Sequence, residues 1–323
     1  MALITGEAYR SGTSAIKSND GIYEGVPANA VLVNLSSSRD ILWDLNSLEV
    51  LDDRTNFPVN ATWYGAIAFA QHYGYDLPTE AEWEKAARGP DHHGLEEHQL
   101  YPWGDTLARW NANYSGSGDP YETGSENYRS ATPVGYYDGN QTPLGSDMAT
   151  GYGLYDMAGN MFEWCRSKLA STVEAYPQIE SLTNSLHTLS LAERVLRGGG
   201  WGAGGYQSAE LSSLKCYSRS SESQSRDYWY RTSTPSYLRH DLGFRVIRRS
   251  VSVAPTSAVV TVSQVFNAVG GVPPFTWSIE SGIGSISPTT GYSTTYTRLS
   301  SGNNTITCTD AAGLSASSSI SQP

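Results

Sequence analysis

Charged side chains are scarce in this sequence, and positive ones are the scarcest. They make up 16% of the 323 residues, with 21 lysines and arginines against 32 aspartates and glutamates, so the formal net charge is −11. A coiled coil or long helical bundle needs a richly charged repeat. A broad electrostatic grip on nucleic acid or anionic lipid needs the opposite sign of charge. The composition therefore excludes a helical rod and predicts that nucleic acid is not a partner.

Cysteines and long apolar runs are also few. The three cysteines, Cys165, Cys216 and Cys308, lie far apart and predict neither a disulfide framework nor a CxxC metal knuckle. No stretch of about 18 consecutive apolar residues occurs, so we predict no membrane insertion. The first residues, MALITGEAYR, lack an apolar core behind a basic start, and no signal peptide is predicted.

Glycine and large aromatic residues are abundant, and their distribution suggests two domains. The chain has 32 glycines, 21 tyrosines and 9 tryptophans, which can bury enough area to fold. Composition changes near residue 250, because residues 251–323 carry only three charged side chains, Glu280, Arg298 and Asp310. We therefore predict one domain over 1–250 and a second over 251–323.

The region 251–323 reads as short β-rich runs between turn signals. Runs such as PFTWSIE, TTYTRL and NTITCTD alternate with separators such as GGVPP and SSGNN, whose residues favour turns. This spacing predicts a small all-β sandwich. Pro273–Trp277 and Thr309–Gly313 resemble bacterial and phage immunoglobulin-like modules, which implies a spacer or adhesive role.

Two helices can be placed in the first domain. Asn60 is a candidate N-cap for one helix, which Gly74 would end. Thr79 and Glu82 have the spacing of a capping box, and Gly89 would end that second helix. Beyond it, short aromatic runs alternate with Gly, Asn, Asp and Pro. The pattern predicts an α+β domain that is rich in loops.

Six motifs of this domain resemble the formylglycine-generating enzyme/sulfatase-modifying-factor family, a version of the C-type lectin fold. The resemblance covers about residues 55–247 and implies that fold here. The motifs, in chain order, are LPTEAEWEKAARG (77–89), YPWGD (101–105), TPVG (132–135), GYGLYDMAGNMFEWC (151–165), RVLRGGGW (194–201) and DLGFRV (241–246).

The resemblance also implies structural calcium. Calcium takes about six to eight oxygen ligands, which carboxylates and carbonyls of irregular loops can supply. One implied set is Asp156, Gly159, Met161 and Glu163. A second implied set is Asn113, Tyr114, Glu126 and Tyr128. The alternative is that these carboxylates cap turns and bind no metal.

The catalytic chemistry implied by the resemblance depends on thiols. The family's active members oxidise a substrate cysteine to formylglycine, with a cysteine pair just after the RGGS-F/W motif that suits copper(I). Counting from RGGGW, the two positions are Ala203 and Ser208, and Cys216 stands alone further on. Cys165 is predicted to be a buried, inert thiol. We therefore predict no enzymatic activity and no redox cofactor.

Residues 202–241 have the composition of a binding surface. They contain ten serines, five tyrosines, one tryptophan and four arginines, a mix that resembles an antibody paratope. They also resemble the variable proteins of diversity-generating retroelements, which use the same scaffold without the cysteine pair. The candidate ligand-binding residues are Gly202, Ala203, Tyr206, Tyr217, Tyr228, Trp229, Tyr230, Ser233, Tyr237, Arg239 and His240.

The sequence thus predicts a non-catalytic ligand-binding or receptor-binding protein. Its expected partner is a protein or glycan receptor on a host or neighbouring cell surface, and its expected location is a virion tail fibre or a cell surface. Two alternatives stay open. One is a formylglycine-generating-type oxidase with a displaced active site, and the other is a purely structural virion or surface protein.

Overall fold

The fold was analysed in a computed structural model. It describes residues 8–11, 15–18, 26, 28, 30–34, 42–43, 50–51, 55–90, 99–121, 131–168, 193–201, 210–223 and 241–323. The described residues are mostly β and loop, with few helices. Contacts divide the chain into one unit of Met1–Ala68 with Leu77–Arg245 and another of Phe69–Asp76 with Val246–Pro323. No helix among the described residues is long and apolar enough to cross a membrane.

The first unit contains short strands and most of the helical residues. Its first sheet is antiparallel, in the order β1-β2-β3, and a second pair joins β4 to β5. A four-stranded sheet follows in the order β8-β7-β6-β9. The strands are β1 Ala8–Ser11, β2 Ala15–Ser18, β3 Val31–Asn34, β4 Leu42–Trp43, β5 Val50–Leu51, β6 Phe162–Lys168, β7 Glu193–Arg197, β8 Ser220–Ser223 and β9 Leu242–Gly243.

The two predicted helices are present. Helix α1 is Trp63–His72, helix α2 is Glu80–Arg88, and a short 3₁₀ helix spans Glu210–Leu214. The capping box of α2 is confirmed, because Thr79 Oγ1 accepts from Glu82 N at 3.3 Å and Glu82 Oε2 accepts from Thr79 N at 2.7 Å.

The predicted N-cap of α1 is wrong. The Oγ1 atom of Thr62 caps the helix by accepting from Gly65 N at 2.9 Å. The side-chain oxygen of Asn60 instead accepts from Leu242 N, also at 2.9 Å. This bond links the residues that precede α1 to β9. The Asn60 side chain, which the local sequence pattern predicts as the N-cap, is therefore occupied by a long-range hydrogen bond to β9.

The main core of the first unit is formed where α1 lies against β6. Trp63 and Trp164 are both 0% exposed. The indole of Trp63 donates to Cys165 O at 3.0 Å, and that of Trp164 donates to Ala61 O at 2.9 Å. Burying side chains of this size stabilises the fold by roughly 1.5–3 kcal/mol each. This packing fixes β6, which carries the candidate site residue Glu163 and the buried Cys165.

The second unit consists of two four-stranded sheets with one shared core. Their orders are β10-β12-β15-β14 and β11-β17-β16-β13, and only β11 and β17 pair in parallel. Phe266 and Tyr296 from the first sheet pack with Trp277 and Ile306 from the second. The strands are β10 Val251–Ala254, β11 Ser257–Val259, β12 Ser263–Gly270, β13 Thr276–Ile279, β14 Gly284–Ser287, β15 Ser293–Arg298, β16 Gly302–Thr309 and β17 Ser315–Gln322.

Candidate functional site

The glycine-rich turn after β7 is packed tightly against the residue that precedes β9. Gly198 and Gly199 have φ of 87° and 70°, a left-handed conformation that favours glycine. A side chain at Gly200 would collide with the carboxylate of Asp241, which is 4% exposed. The next residue, Trp201, donates its backbone N–H to Asn160 O at 2.8 Å. Trp201, which precedes the candidate binding segment 202–241, and Asp241, its last residue, are therefore both held by the scaffold.

A buried carboxylate with three donors lies on β6. Glu163 is 7% exposed, and its Oε2 accepts from the indole of Trp83 at 2.6 Å. Arg245 donates to both carboxylate oxygens, at 2.5 and 2.6 Å, and a further bond reaches Tyr155 O at 3.1 Å. Charge-assisted, two-point pairing of this kind fixes both partners. The Glu163–Arg245 pair thus connects β6 to the chain that follows β9.

Asp156 lies just before β6, in a turn with φ of 58°. Its Oδ2 accepts from Gly135 N at 2.7 Å. Burial raises the pKa of Asp156 to about 6, and the charge of Glu163 adds to the rise, while Gly135 and Arg245 oppose it. A bound cation would remove part of this unfavourable environment, and oxygen donors of this type suit calcium.

The four residues of the first predicted calcium set therefore lie in one irregular segment, residues 156–163. Gly159 has φ of 77° and donates its N–H to Gly198 O at 2.8 Å, and Met161 is 4% exposed. Within the part of the chain that the structure describes, no group of three or more His, Cys, Asp or Glu side chains is placed to hold a metal. Both Glu163 oxygens already accept from Arg245, so any ion here would depend on the Asp156 carboxylate and on backbone carbonyls, oxygen donors of the kind that calcium takes.

The second predicted calcium set is described only in part. Asn113 O accepts from Asn160 N at 2.9 Å, and Tyr114 O accepts from Ser117 N at 3.0 Å. Glu126 and Tyr128 lie outside the described residues. The carbonyl of Tyr114 is thus engaged in a turn, and that of Asn113 in a long-range bond to the stretch that precedes β6.

The thiols of the first unit are buried. Cys165 and Cys216 are both 0% exposed and belong to one apolar cluster with Trp83 and Met157. Burial raises the pKa of Cys216 to about 12 and also raises that of Cys165. The prediction that Cys165 is a buried thiol is confirmed. Ala203, at the first of the family's cysteine positions, lies outside the described residues, as does position 208.

The site also contains an arginine that sequence reasoning missed. The guanidinium of Arg197 is fully buried and donates to three successive carbonyls of residues 216–218, at 2.8, 3.1 and 2.8 Å. It pairs with Glu84 and, at 3.3 Å, with Glu80. Arg219 also donates to Glu80, at 2.5 and 2.7 Å. The only sequence signal was the i, i+4 spacing of the two glutamates, which puts both on one face of α2.

One predicted ligand-binding residue, Tyr217, is described. Its side chain is 47% exposed, and Lys215 Nζ lies 5.6 Å from the ring centroid. The exposed ring of Tyr217 therefore projects from a backbone whose carbonyl accepts a hydrogen bond from the buried Arg197. The other ten candidates lie outside the described residues: Gly202, Ala203, Tyr206, Tyr228, Trp229, Tyr230, Ser233, Tyr237, Arg239 and His240.

Together these features define a loop-rich, mostly β domain with a capped helix, a glycine-rich strand end and a buried carboxylate–guanidinium pair. The chain belongs to the sulfatase-modifying factor enzyme 1-like domain family (FGE-sulfatase), whose family model matches residues 21–250.

Three curated relatives are named formylglycine-generating enzymes. The protein from Thermomonospora curvata is 41% identical over 120 residues, covering 36% of this chain and 35% of the relative. That from Streptomyces coelicolor is 39% identical over 154 residues, covering 46% and 43%. That from Mus musculus is 31% identical over 153 residues, covering 46% and 36%. The chain thus spans less than half the length of each of these relatives.

Among solved structures, a C-terminal fragment of intimin in complex with its translocated receptor matches 26% of this chain and 35% of that chain. Its sequence identity is 18% and its TM-score is 0.21. A TM-score this low supports no conclusion about fold or function.

The prediction that the chain is not an enzyme is wrong, because several relatives in its family are named formylglycine-generating enzymes. Ala203 and Ser208 occupy the two expected cysteine positions, but the family motifs extend over the rest of the domain. The comparisons favour the alternative of an oxidase of this type over a purely receptor-binding role.

Proposed function

We propose that the chain is an oxidase of the formylglycine-generating type, acting on a cysteine side chain in a protein or peptide. The observation that carries the proposal is the family match over 21–250, together with relatives named for that activity. The reaction breaks the substrate C–S bond and forms a C=O bond at the same carbon. The –CH2–SH group, dioxygen, two electrons and two protons give –CHO, hydrogen sulfide and water, and a dithiol reductant supplies the electrons.

Copper is the metal that the family resemblance implies, and the residues at the expected positions do not fit it. Ala203 has no donor atom, and a serine hydroxyl such as that of Ser208 is a hard ligand, whereas copper(I) prefers thiolates. No step is therefore assigned to copper here.

The thiol closest in sequence to those positions is Cys216. Burial raises its pKa to about 12, so at neutral pH the side chain is almost entirely the unreactive thiol. A role for this residue would require the loop of residues 215–219 to open or the thiol to be deprotonated on binding. Arg197 holds the carbonyls of this loop, so a variant at that position would favour opening.

The test is a turnover assay on a peptide with a single cysteine, supplied with dioxygen, dithiothreitol and a copper salt. Formation of the aldehyde is followed by mass spectrometry. Cys216→Ser is compared with Cys308→Ser, a matched control because both thiols are 0% exposed but lie in different units. Turnover that Cys216→Ser alone abolishes supports an oxidase with a displaced thiol. No turnover by the folded wild-type protein contradicts an oxidase.

A ligand-binding surface on residues 202–241 is the second candidate function, and the exposure of Tyr217 on a fixed backbone favours it. We propose for it a protein or glycan partner on a host or neighbouring cell surface, with the chain displayed on a virion or a cell. In the same proposal, the first unit is of C-type lectin type, and the two-sheet unit is an immunoglobulin-like spacer.

Flanking DNA tests this candidate directly. A near-copy of the segment coding for 202–245, differing mainly at adenines and lying beside a reverse transcriptase, would support diversification. An unaccompanied gene with an invariant segment in many isolates would contradict it.

A further inference from the structure

The loop of residues 215–219 lies between a buried thiol and the protein surface. Cys216 is 0% exposed, whereas the next residue, Tyr217, is 47% exposed. The thiol belongs to the apolar cluster that contains Trp83 and Met157. Because the adjacent side chain of the same loop already reaches solvent, an outward movement of the loop would carry the Cys216 thiol from that cluster to the surface.

The chain is fixed directly before and directly after this loop. Leu214, which ends the 3₁₀ helix, is 0% exposed and packs in a separate apolar cluster. Ser220 begins β8 and pairs with Leu196 of β7. The loop can therefore move as a short unit between two anchored ends. Such a movement would break the bond from Cys216 N to Leu100 O, at 2.8 Å.

The buried charges beneath the loop are balanced without it. Arg197 pairs with Glu80 at 3.3 Å and with Glu84, and Arg88 pairs with Glu84 at 2.8 Å. Two arginines thus face two glutamates. If the carbonyls of residues 216–218 left Arg197, its charge would keep both carboxylates, and the carbonyls would bond to water. Opening therefore leaves no buried charge without a counter-ion, which would be the costly outcome.

Arg219 adds a further positive charge, and this one belongs to the loop. Its guanidinium donates to both carboxylate oxygens of Glu80, at 2.5 and 2.7 Å, and its side chain is 28% exposed. Two-point pairing of this kind is strong and directional. Since solvent reaches Arg219, dissolved ions can screen this contact, whereas the Arg197 side chain is 0% exposed. The contact of Arg219 can thus be released while Arg197 stays paired.

We propose that the loop of residues 215–219 is a cover over Cys216, fastened by the Arg219–Glu80 pair, which opens without unfolding of the first unit. Proteins open locally where the backbone is held by few apolar contacts and by hydrogen bonds near solvent. Raising the ionic strength weakens the fastening, so access to the Cys216 thiol increases with salt. The loop is therefore a salt-sensitive gate for one cysteine.

Access to the Cys216 thiol is separate from the proposed oxidation. The loop would open in the same way if no cysteine peptide were turned over. The two can also fail separately, because labelling without any substrate measures opening, whereas the peptide assay measures turnover.

The test is labelling of the full chain with N-ethylmaleimide, an uncharged reagent, with each cysteine followed by peptide mass spectrometry. We expect Arg219→Met to label Cys216 roughly tenfold faster than wild type, because methionine cannot pair with Glu80. Arg219→Lys keeps the charge but loses the two-point geometry, so its rate should lie between the two. The matched control is Arg249→Met, which removes a partly exposed arginine from the buried Asp76, 2.6 Å away in the second unit, and should label like wild type.

Salt and Cys165 distinguish opening from unfolding. Raising sodium chloride from about 0.02 to about 0.5 M should speed labelling of Cys216 several-fold in wild type, but not in Arg219→Met, which lacks the screened contact. Cys165 belongs to the same apolar cluster but lies on β6, so it should stay unlabelled throughout.

Two results would overturn the cover. One is labelling of Cys165 and Cys216 at the same rate, since that would mean that the first unit unfolds as a whole. The other is a Cys216 rate that neither salt nor the Arg219 variants change. If Arg219→Met does not fold, Arg219→Lys and the salt series on wild type decide the question.

Discussion

Arg245 donates to both carboxylate oxygens of Glu163, at 2.5 and 2.6 Å, and the indole of Trp83 donates to one of the same oxygens. The pair joins the GLYDMAGNMFEW and GFR motifs, which lie 82 residues apart in the chain. It explains why both motifs occur together: each supplies half of one buried ion pair. The geometry makes the pair a structural centre of the first unit.

Removing one member of this pair should be costly. Arg245→Leu leaves the carboxylate of Glu163, whose side chain is 9% exposed, without its counter-ion. Breaking a buried pair in this way typically lowers the free energy of unfolding by about 3–5 kcal/mol. Urea denaturation measures the change, with the exposed Arg248→Gln as control. A loss below about 1 kcal/mol would show that the pair contributes no more than a surface ion pair.

Asp156 should make stability depend on pH between its ordinary and its folded pKa. Because burial raises the pKa of this carboxyl from 3.8 to about 6, the folded state holds the proton more tightly than the unfolded state does. The associated stability is fully present below pH about 4 and is lost as pH rises through about 6, by roughly 2–3 kcal/mol.

The measurement is the difference in unfolding free energy between wild type and Asp156→Asn, from pH 4 to 7.5 in a chelator. The asparagine variant cannot ionise, so the gap should favour it increasingly as pH rises. A gap that stays constant with pH would mean that the carboxyl titrates normally.

Calcium binding should offset the loss of folding stability that ionisation of the buried Asp156 carboxylate causes. If an ion binds near Asp156 and Glu163, adding calcium should raise the melting temperature of wild type, because a ligand present at about 100 times its Kd stabilises by about 2.7 kcal/mol. The rise should be absent in Asp156→Ala, and magnesium should not substitute. Melting curves that are identical with calcium and with a chelator would rule out the metal site.

The three thiols should resist labelling in the native protein. Burial raises the pKa of Cys216 to about 12 and that of Cys308 to about 11, so at pH 8 the reactive thiolate is a very small fraction of each. We expect reaction with a disulfide reagent to be roughly 100-fold slower before unfolding than after it. One fast equivalent that Cys216→Ser removes would instead reveal an accessible thiol in the loop of residues 215–219.

Local signals predicted the parts of this fold that local contacts determine. The capping box of Thr79 and Glu82 could be identified because both partners lie within one helical turn. The strands of the second unit followed from turn residues and alternating β formers, as at β13 and β16. The N-cap of α1 could not be predicted, because Asn60 pairs with a residue 182 positions away.

The candidate site was harder to predict, since its geometry depends on long-range pairing. Arg197 contacts Glu84, 113 residues earlier, and carbonyls about 20 residues later, and no spacing rule links such positions. Family motifs located the domain, whereas the pairing of its charges required coordinates.

The hydrogen bonds from Arg197 to residues 216–218 are all accepted by main-chain oxygens. Every amino acid carries the same carbonyl group, so this anchorage does not depend on which side chains follow one another there. Exchanging the outward-facing side chain at position 217 should leave the path of the backbone unchanged. The domain can therefore tolerate a changing outer sequence at this point, while the arginine and its two glutamates underneath have to stay constant.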